Sequence, residues 1–508
     1  MLKSIATRIL LSTFCIILLI SCSSLTPPAL PPTETQPAST PILPTETALP
    51  GEPPTPLPTL PPELERPQYV IDLQFNYSSK AAAVNQTITY PNWTGETLTN
   101  IILAVEPNLW SGGFSLKSLA VDQIPIPNYI LEPSNQRLEI PLSQPLPPSR
   151  TITITMSYGL ILPQMQAYSD PNEVRPQIYG YSDRQVNFVD WYPFVVPYES
   201  GQGWVLHNPW FYGEHLVYDV ADFDVSVTFT DGSAPQIASS GAEVESLSDA
   251  TPTGVASRRF TLEAGRTFAL SISTVYNVAT QKVGDVTVYA YYFAFYDAQG
   301  EALLQTTAQA LETFSEKFGP YRHKTLTAVQ GDFNDGMEFS GFYFISRDYF
   351  NLYNNTPENY LVAIGAHETA HQWWFDAVAN DQGIEPWLDE ALATYSERIY
   401  YETVYPDLVD WWWGYRYFEF LNAGFVDTQI YDGGGQRPYW DKVYLTGARF
   451  FEALRERLGD EIFFAFLKGY YTQYTGKRAS GVDFFRVLRE HTAADISDLM
   501  AEYFQKTY

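Results

Sequence analysis

The segment His367-Glu368-Thr369-Ala370-His371 carries three side chains able to do chemistry within five residues. On a helix, residues four apart share a face, so the two imidazoles converge on one ion. Glu368 follows the first histidine, which lets its carboxylate reach a water beside that ion rather than the ion itself. Nineteen residues past His371, Glu390 lies in Trp387-Leu388-Asp389-Glu390-Ala391 and can supply a third ligand. Two histidines and one carboxylate leave one position of a tetrahedral zinc site open to solvent, as hydrolysis requires and a closed structural site does not. The expected cofactor is one Zn2+ per chain on His367, His371 and Glu390, with Glu368 as general base. With only six histidines in 508 residues, this spacing is rarely produced by chance.

Helices must position these groups. Thr356 followed by Pro357 and Glu358 predicts a helix start that places the motif about three turns in. Pro386 can open a second helix carrying Glu390. Upstream, Leu304, Ala308, Leu311, Ser315 and Phe318 follow helical spacing, Gly319-Pro320 ends that helix, and Leu326 to Val329 reads as a strand. The predicted second region, 286–508, is therefore α+β and mostly helical. Residues 68–285 instead show period two. Ile71, Leu73, Phe75 and Tyr77 alternate with polar residues, as do Ile152, Ile154, Met156 and Tyr158, and Phe223, Val225, Val227 and Phe229. This predicts an antiparallel β-sandwich-like domain.

The N-terminus reads as an address. Lys3 and Arg8 precede the apolar run Ile9 to Ile20, a secretory signal over 1–22. Its end, Leu19-Ile20-Ser21-Cys22, resembles the lipobox of bacterial lipoproteins, which implies cleavage before Cys22 and lipid attachment to it. Residues 23–67 hold 15 prolines between Pro27 and Pro67 and no aromatic residue, a composition suited to an extended tether. The expected location is extracytoplasmic, lipid-anchored to a bacterial membrane. Cysteine occurs only at 15 and 22, which excludes a thiolate metal site or thiol nucleophile in the folded part. The net charge of −28 argues against nucleic acid or anionic lipid headgroups as partners. No obligate protein partner is evident.

A glutamate ligand nineteen residues after the histidine pair resembles the zinc aminopeptidases related to aminopeptidase N and leukotriene hydrolase. Gly336-Met337-Glu338 looks like that family's Gly-x-Met-Glu-Asn segment. Val443-Tyr444-Leu445-Thr446-Gly447-Ala448 looks like its Tyr-x-Lys-Gly-Ala context, and Ala221-Asp222-Phe223-Asp224-Val225 resembles a strand of its β-domain. The resemblance covers about 68–508 and implies a saddle-like β-domain beside a thermolysin-like catalytic domain. It also implies that Gly336, Met337 and Glu338 bind substrate, Glu338 through the free α-amine, and that Tyr444 donates to the oxyanion. Phe339, Thr446 and Ala391 depart from the family pattern. Larger relatives continue into a C-terminal helical domain, so a more open cleft is expected here.

The expected function is hydrolysis of peptides from the N-terminus. An endopeptidase with an open cleft, and a non-catalytic surface-binding lipoprotein, are the alternatives. Trp411-Trp412-Trp413 is expected in packing, with a binding platform the other reading. Gly433-Gly434-Gly435 reads as a flexible loop before Tyr444. His207, His215, His323 and His491 have no mutual ligand spacing and are expected to be structural or exposed. Asp389 suits either a partner behind the ligands or a helix-start carboxylate.

Overall fold

The computed structural model describes residues 66–165, 177–244, 257–417 and 424–508. The signal and lipobox, Cys22 included, and nearly all of the tether lie outside them. Among the described residues no helix is long and apolar enough to cross a membrane.

The alternating segments form strands as expected. In Gln68–Asn76 the side chains of Tyr69, Ile71, Leu73 and Phe75 are buried, while Val70 and Gln74 on the other face are exposed. An eight-stranded sheet runs in the order Ala242–Val244, Ser257–Gly265, Ala221–Phe229, Gln68–Asn76, Ala81–Pro91, Thr151–Ile161, Phe114–Val121, Ile124–Pro125. Two four-stranded sheets share its hydrophobic core. One correction concerns strand direction: Gln68–Asn76 pairs parallel with Ala221–Phe229. A tight hairpin forces antiparallel pairing, but these strands are joined by the long excursion from 77 to 220, which allows either direction.

A second, five-stranded sheet is ordered Tyr276–Val283, Val286–Phe293, Thr325–Gln330, Phe342–Ile345, Met337–Phe339. Tyr276–Val283, placed on sequence with the β-rich region, belongs to this sheet through its hairpin with Val286–Phe293. The three inner strands are parallel, and the edge strand Met337–Phe339 runs antiparallel to Phe342–Ile345. Helix Asp297–Lys317 packs on this sheet and on helix Tyr360–Ala370, hereafter the motif helix.

The motif helix is buried on every face from Leu361 to Ala370, as an all-round apolar helix must be. A Cβ at Gly365 would stand 3.1 Å from Thr306 Cγ2, so the missing side chain lets the two helices approach. The start expected at Thr356 falls later: Asn359 is the cap, its side chain accepting from Leu361 N at 2.8 Å, while Thr356 bonds locally to Asn354. His367 therefore sits two turns in, and His371 is the C-cap residue.

The β-rich and helical regions are joined by Arg266. Its buried guanidinium donates to the carbonyls of Asp376 (2.8 Å), Tyr218 (3.1 Å), Ala377 (3.2 Å) and Lys477 (2.8 Å). Burial and the nearby Arg322 lower its pKa to about 9.

Candidate metal and active site

The motif helix and helix Glu390–Val404 pack side by side and bring His367, His371 and Glu390 together. The Nε2 atoms of the two histidines are 3.1 Å apart, and Glu390 Oε2 lies 3.3 Å from one and 3.5 Å from the other. Three donors each about 2.0–2.1 Å from one tetrahedral zinc lie about 3.4 Å apart, so the triangle has the right size. Glu390 Oε2 is buried and accepts no hydrogen bond, which leaves a lone pair for a cation.

The tautomers follow from the partners. His367 Nδ1 donates to Glu397 Oε1 at 3.0 Å and His371 Nδ1 donates to the Trp374 carbonyl at 3.2 Å. A carboxylate and a carbonyl can only accept, so in a neutral imidazole at either position Nε2 is bare and faces the triangle. Glu397 is in turn held by Trp412 Nε1, which donates to its Oε2 at 3.0 Å. Trp412 is fully buried, so the middle tryptophan of the triplet packs in the core and also anchors the residue that orients His367.

The carboxylates and imidazoles of the site shift one another. Burial alone would raise Glu390 and lower His371. Instead the imidazoles hold Glu390 well below the carboxylate range, and Glu338 and Glu390 hold His371 far above 6.5. Burial pushes Glu368 up to about 8, opposed by both histidines and reinforced by Glu338 and Glu390. Its Oε2 is buried with no hydrogen-bond partner. Gly336 makes room for it, since a Cβ there would stand 2.2 Å from Glu368 Oε1. Asp389 caps the second helix by accepting from Glu390 N at 2.8 Å, which gives it the helix-start role.

Tyr444 lies in a π-helical turn, Asp441–Thr446, and stacks on His367 with ring centroids 6.0 Å apart at 8°. Burial, then Glu390 and Glu214, raise its pKa well above 10, so it is a neutral hydroxyl. Gly447 beneath this turn would place a Cβ 2.3 Å from that of Ala391, so its lack of a side chain sets the contact with the glutamate helix. Gly434 and Gly435 hold positive φ, 79° and 129°, and lead into helix Gln436–Trp440.

Glu338, on the edge strand, is buried and accepts from Gln382 Nε2 at 3.1 Å. Its carboxylate clusters with those of Glu390 and Glu214, the last from the β-rich region. Met337 lies beside this wall and Gly336 lines the metal cleft, a cavity of about 320 Å³ that also contains Glu368 and Tyr444. The structure thus brings His367, Glu368, His371 and Glu390, read from spacing, into one cleft with Gly336, Glu338 and Tyr444, implied by the resemblance, while Glu214, Glu397 and Trp412 were missed as site residues. Glu397 had a signal, being seven residues and two turns past Glu390 on one helix face. Glu214 had none. The remaining histidines have ordinary partners: His207 pairs with Asp381, His323 with Asp376, His215 with Glu106 and Gln136, and His491 bonds the Val487 carbonyl.

Comparison with known proteins agrees with this geometry. Aminopeptidase M1-B of Oryza sativa subsp. japonica is 27% identical over 220 residues, covering 40% of this chain and 25% of that protein. Probable aminopeptidase 1 of Sulfurisphaera tokodaii is 27% identical over 157 residues, covering 28% of this chain and 20% of that protein. The chain thus spans a fifth to a quarter of these curated relatives. An M1 zinc metallopeptidase from Deinococcus radiodurans shares the fold with a TM-score of 0.62 at 19% identity, over 87% of this chain and 94% of that one. A variant of it bound to a Tyr-Ser-Ala substrate aligns with a TM-score of 0.61 at 20% identity, over 87% and 95%. Residues 302–503, which hold the histidine pair, both helix glutamates, Glu338 and Tyr444, match the peptidase family M1 domain.

Proposed function

We propose that this protein is a zinc aminopeptidase, removing residues from the free N-termini of peptides. The observation that carries the reading is the triangle of His367, His371 and Glu390 donor atoms beside a buried, unpartnered Glu368 carboxylate oxygen. Zinc held there would supply a Lewis acid and lower the pKa of a water to about 7. Glu368 takes the proton of the attacking water and returns it to the leaving amine. Tyr444, neutral at working pH, donates its hydroxyl to the developing oxyanion. Glu338 and Glu214 pair with the substrate ammonium group, and this fixes the scissile bond one residue from the N-terminus. A wall of carboxylates suits a chain end with a positive charge and gives an internal amide no matching partner. The relatives' names, which are aminopeptidases, support the same reading.

The test is zinc content together with hydrolysis of free-amine and N-blocked aminoacyl reporters, by wild type and Glu368→Gln. Free-amine reporters alone should be cleaved, with a loss of about 10²–10⁴-fold in the variant at unchanged zinc content. Cleavage inside blocked peptides would instead indicate an endopeptidase. From the sequence of residues 1–67 we further propose secretion and lipid anchoring through Cys22. Metabolic labelling with a radioactive fatty acid, lost in Cys22→Ala, tests it.

A further inference from the structure

We propose that a second cavity beside the metal cleft receives the side chain of the substrate's N-terminal residue and selects a long cation there, lysine or arginine. The proposal rests on the aminopeptidase reading and adds the substrate class to it. The cavity has a volume of about 360 Å³ and shares Gly213, Glu214 and Glu338 with the metal cleft. At about 30 Å³ per water it holds on the order of ten solvent molecules, room for all the heavy atoms of an arginine side chain. Side chain and α-amine leave the same α-carbon. An amine held at the shared wall of Glu214 and Glu338 therefore lets the side chain turn into this space.

The lining is one-sided in charge. Glu106, Asp190, Glu214 and Glu338 contribute four carboxylates, and among the described residues no lysine or arginine lines the cavity. The one basic group is His215, 3.6 Å from Glu106. Glu106 Oε2 is buried and accepts no hydrogen bond, while Asp190 accepts from the Tyr218 hydroxyl at 2.7 Å. Burial first, then Asp190 and Glu106, raise the pKa of the Tyr218 hydroxyl. Trp110, Tyr179 and Trp210 supply further aromatic wall. Aromatic faces with carboxylates between them hold a guanidinium or ammonium by cation–π contact and charge-assisted hydrogen bonds. A neutral side chain of equal length would strip water from these carboxylates and return no compensating charge.

Calorimetric titration of zinc-loaded Glu368→Gln protein with L-arginine amide and L-citrulline amide tests this, because the two ligands differ in charge and hardly in shape. Arginine amide should bind at least about tenfold tighter, the scale of one hydrogen bond to a charged group. Adding Glu106→Gln or Asp190→Asn should shrink that gap to under about threefold. Asn suits position 190, where φ is 48°. Equal binding of the two amides, no binding of either, or a gap untouched by both substitutions overturns the proposal. Selective arginine binding in a protein whose wild type cleaves no free-amine reporter supports the cavity and defeats the aminopeptidase reading alone.

Discussion

The metal cradle and the carboxylate wall lie within one cleft but are built differently. The cradle takes His367, His371, Glu390 and the orienting Glu397 from two adjacent helices. The wall takes Glu338 from a sheet edge and Glu214 from the β-rich region, more than 120 positions earlier in the chain. The first is fixed by helical periodicity and tight helix contact, so its geometry is local. The second exists only once two distant parts of the chain have packed together. Metal binding is therefore set by the helical region, while recognition of the chain end depends on both regions.

That contrast can be broken or sharpened by substitution. Removing a ligand should have the largest effect: Glu390→Ala should reduce bound zinc from one per chain to near none, read by atomic absorption, and abolish hydrolysis. Gly336→Ala comes next, because its methyl would collide with Glu368 Oε1. Displacing a general base by about an ångström costs about 100-fold in kcat, and zinc content should not change. Smaller still, Glu338→Gln and Glu214→Gln should each raise KM for free-amine reporters by about tenfold, the value of a charge-assisted bond. The double variant should lose less than the product of the two, since they share one ammonium. An effect of similar size, on zinc affinity rather than KM, is expected in Trp412→Phe, which leaves Glu397 Oε2 without its donor. Zinc affinity should fall by about tenfold in competition with a chelator, the lower end for an outer-shell partner.

Legibility in the sequence followed the same division. The two ligand histidines, Glu368 and Glu390 declare themselves through spacing, because a helix turns sequence separation into geometry. The alternating strands did likewise: Ile71, Leu73 and Phe75 are buried as read, while Tyr77 falls just past the strand end and is half-buried. Glu338 and Tyr444 were accessible only by resemblance to a family, since neither has a periodic relation to the histidines. Glu214 was invisible, and so was the parallel pairing of Gln68–Asn76 with Ala221–Phe229, because both depend on contacts between remote segments. The motif helix was placed one turn too early because Thr356 and Pro357 are good starters in isolation. Asn359 takes the capping role in the fold.

Arg266 sets a limit on how this molecule can come apart. Its guanidinium reaches four carbonyls from both regions, and among the described residues none of its hydrogen bonds goes to a carboxylate. Prising the regions apart would break all four of those hydrogen bonds at the same moment. The two regions are therefore expected to melt in a single calorimetric transition, and a fragment beginning near residue 286 lacks the partner that closes its flank.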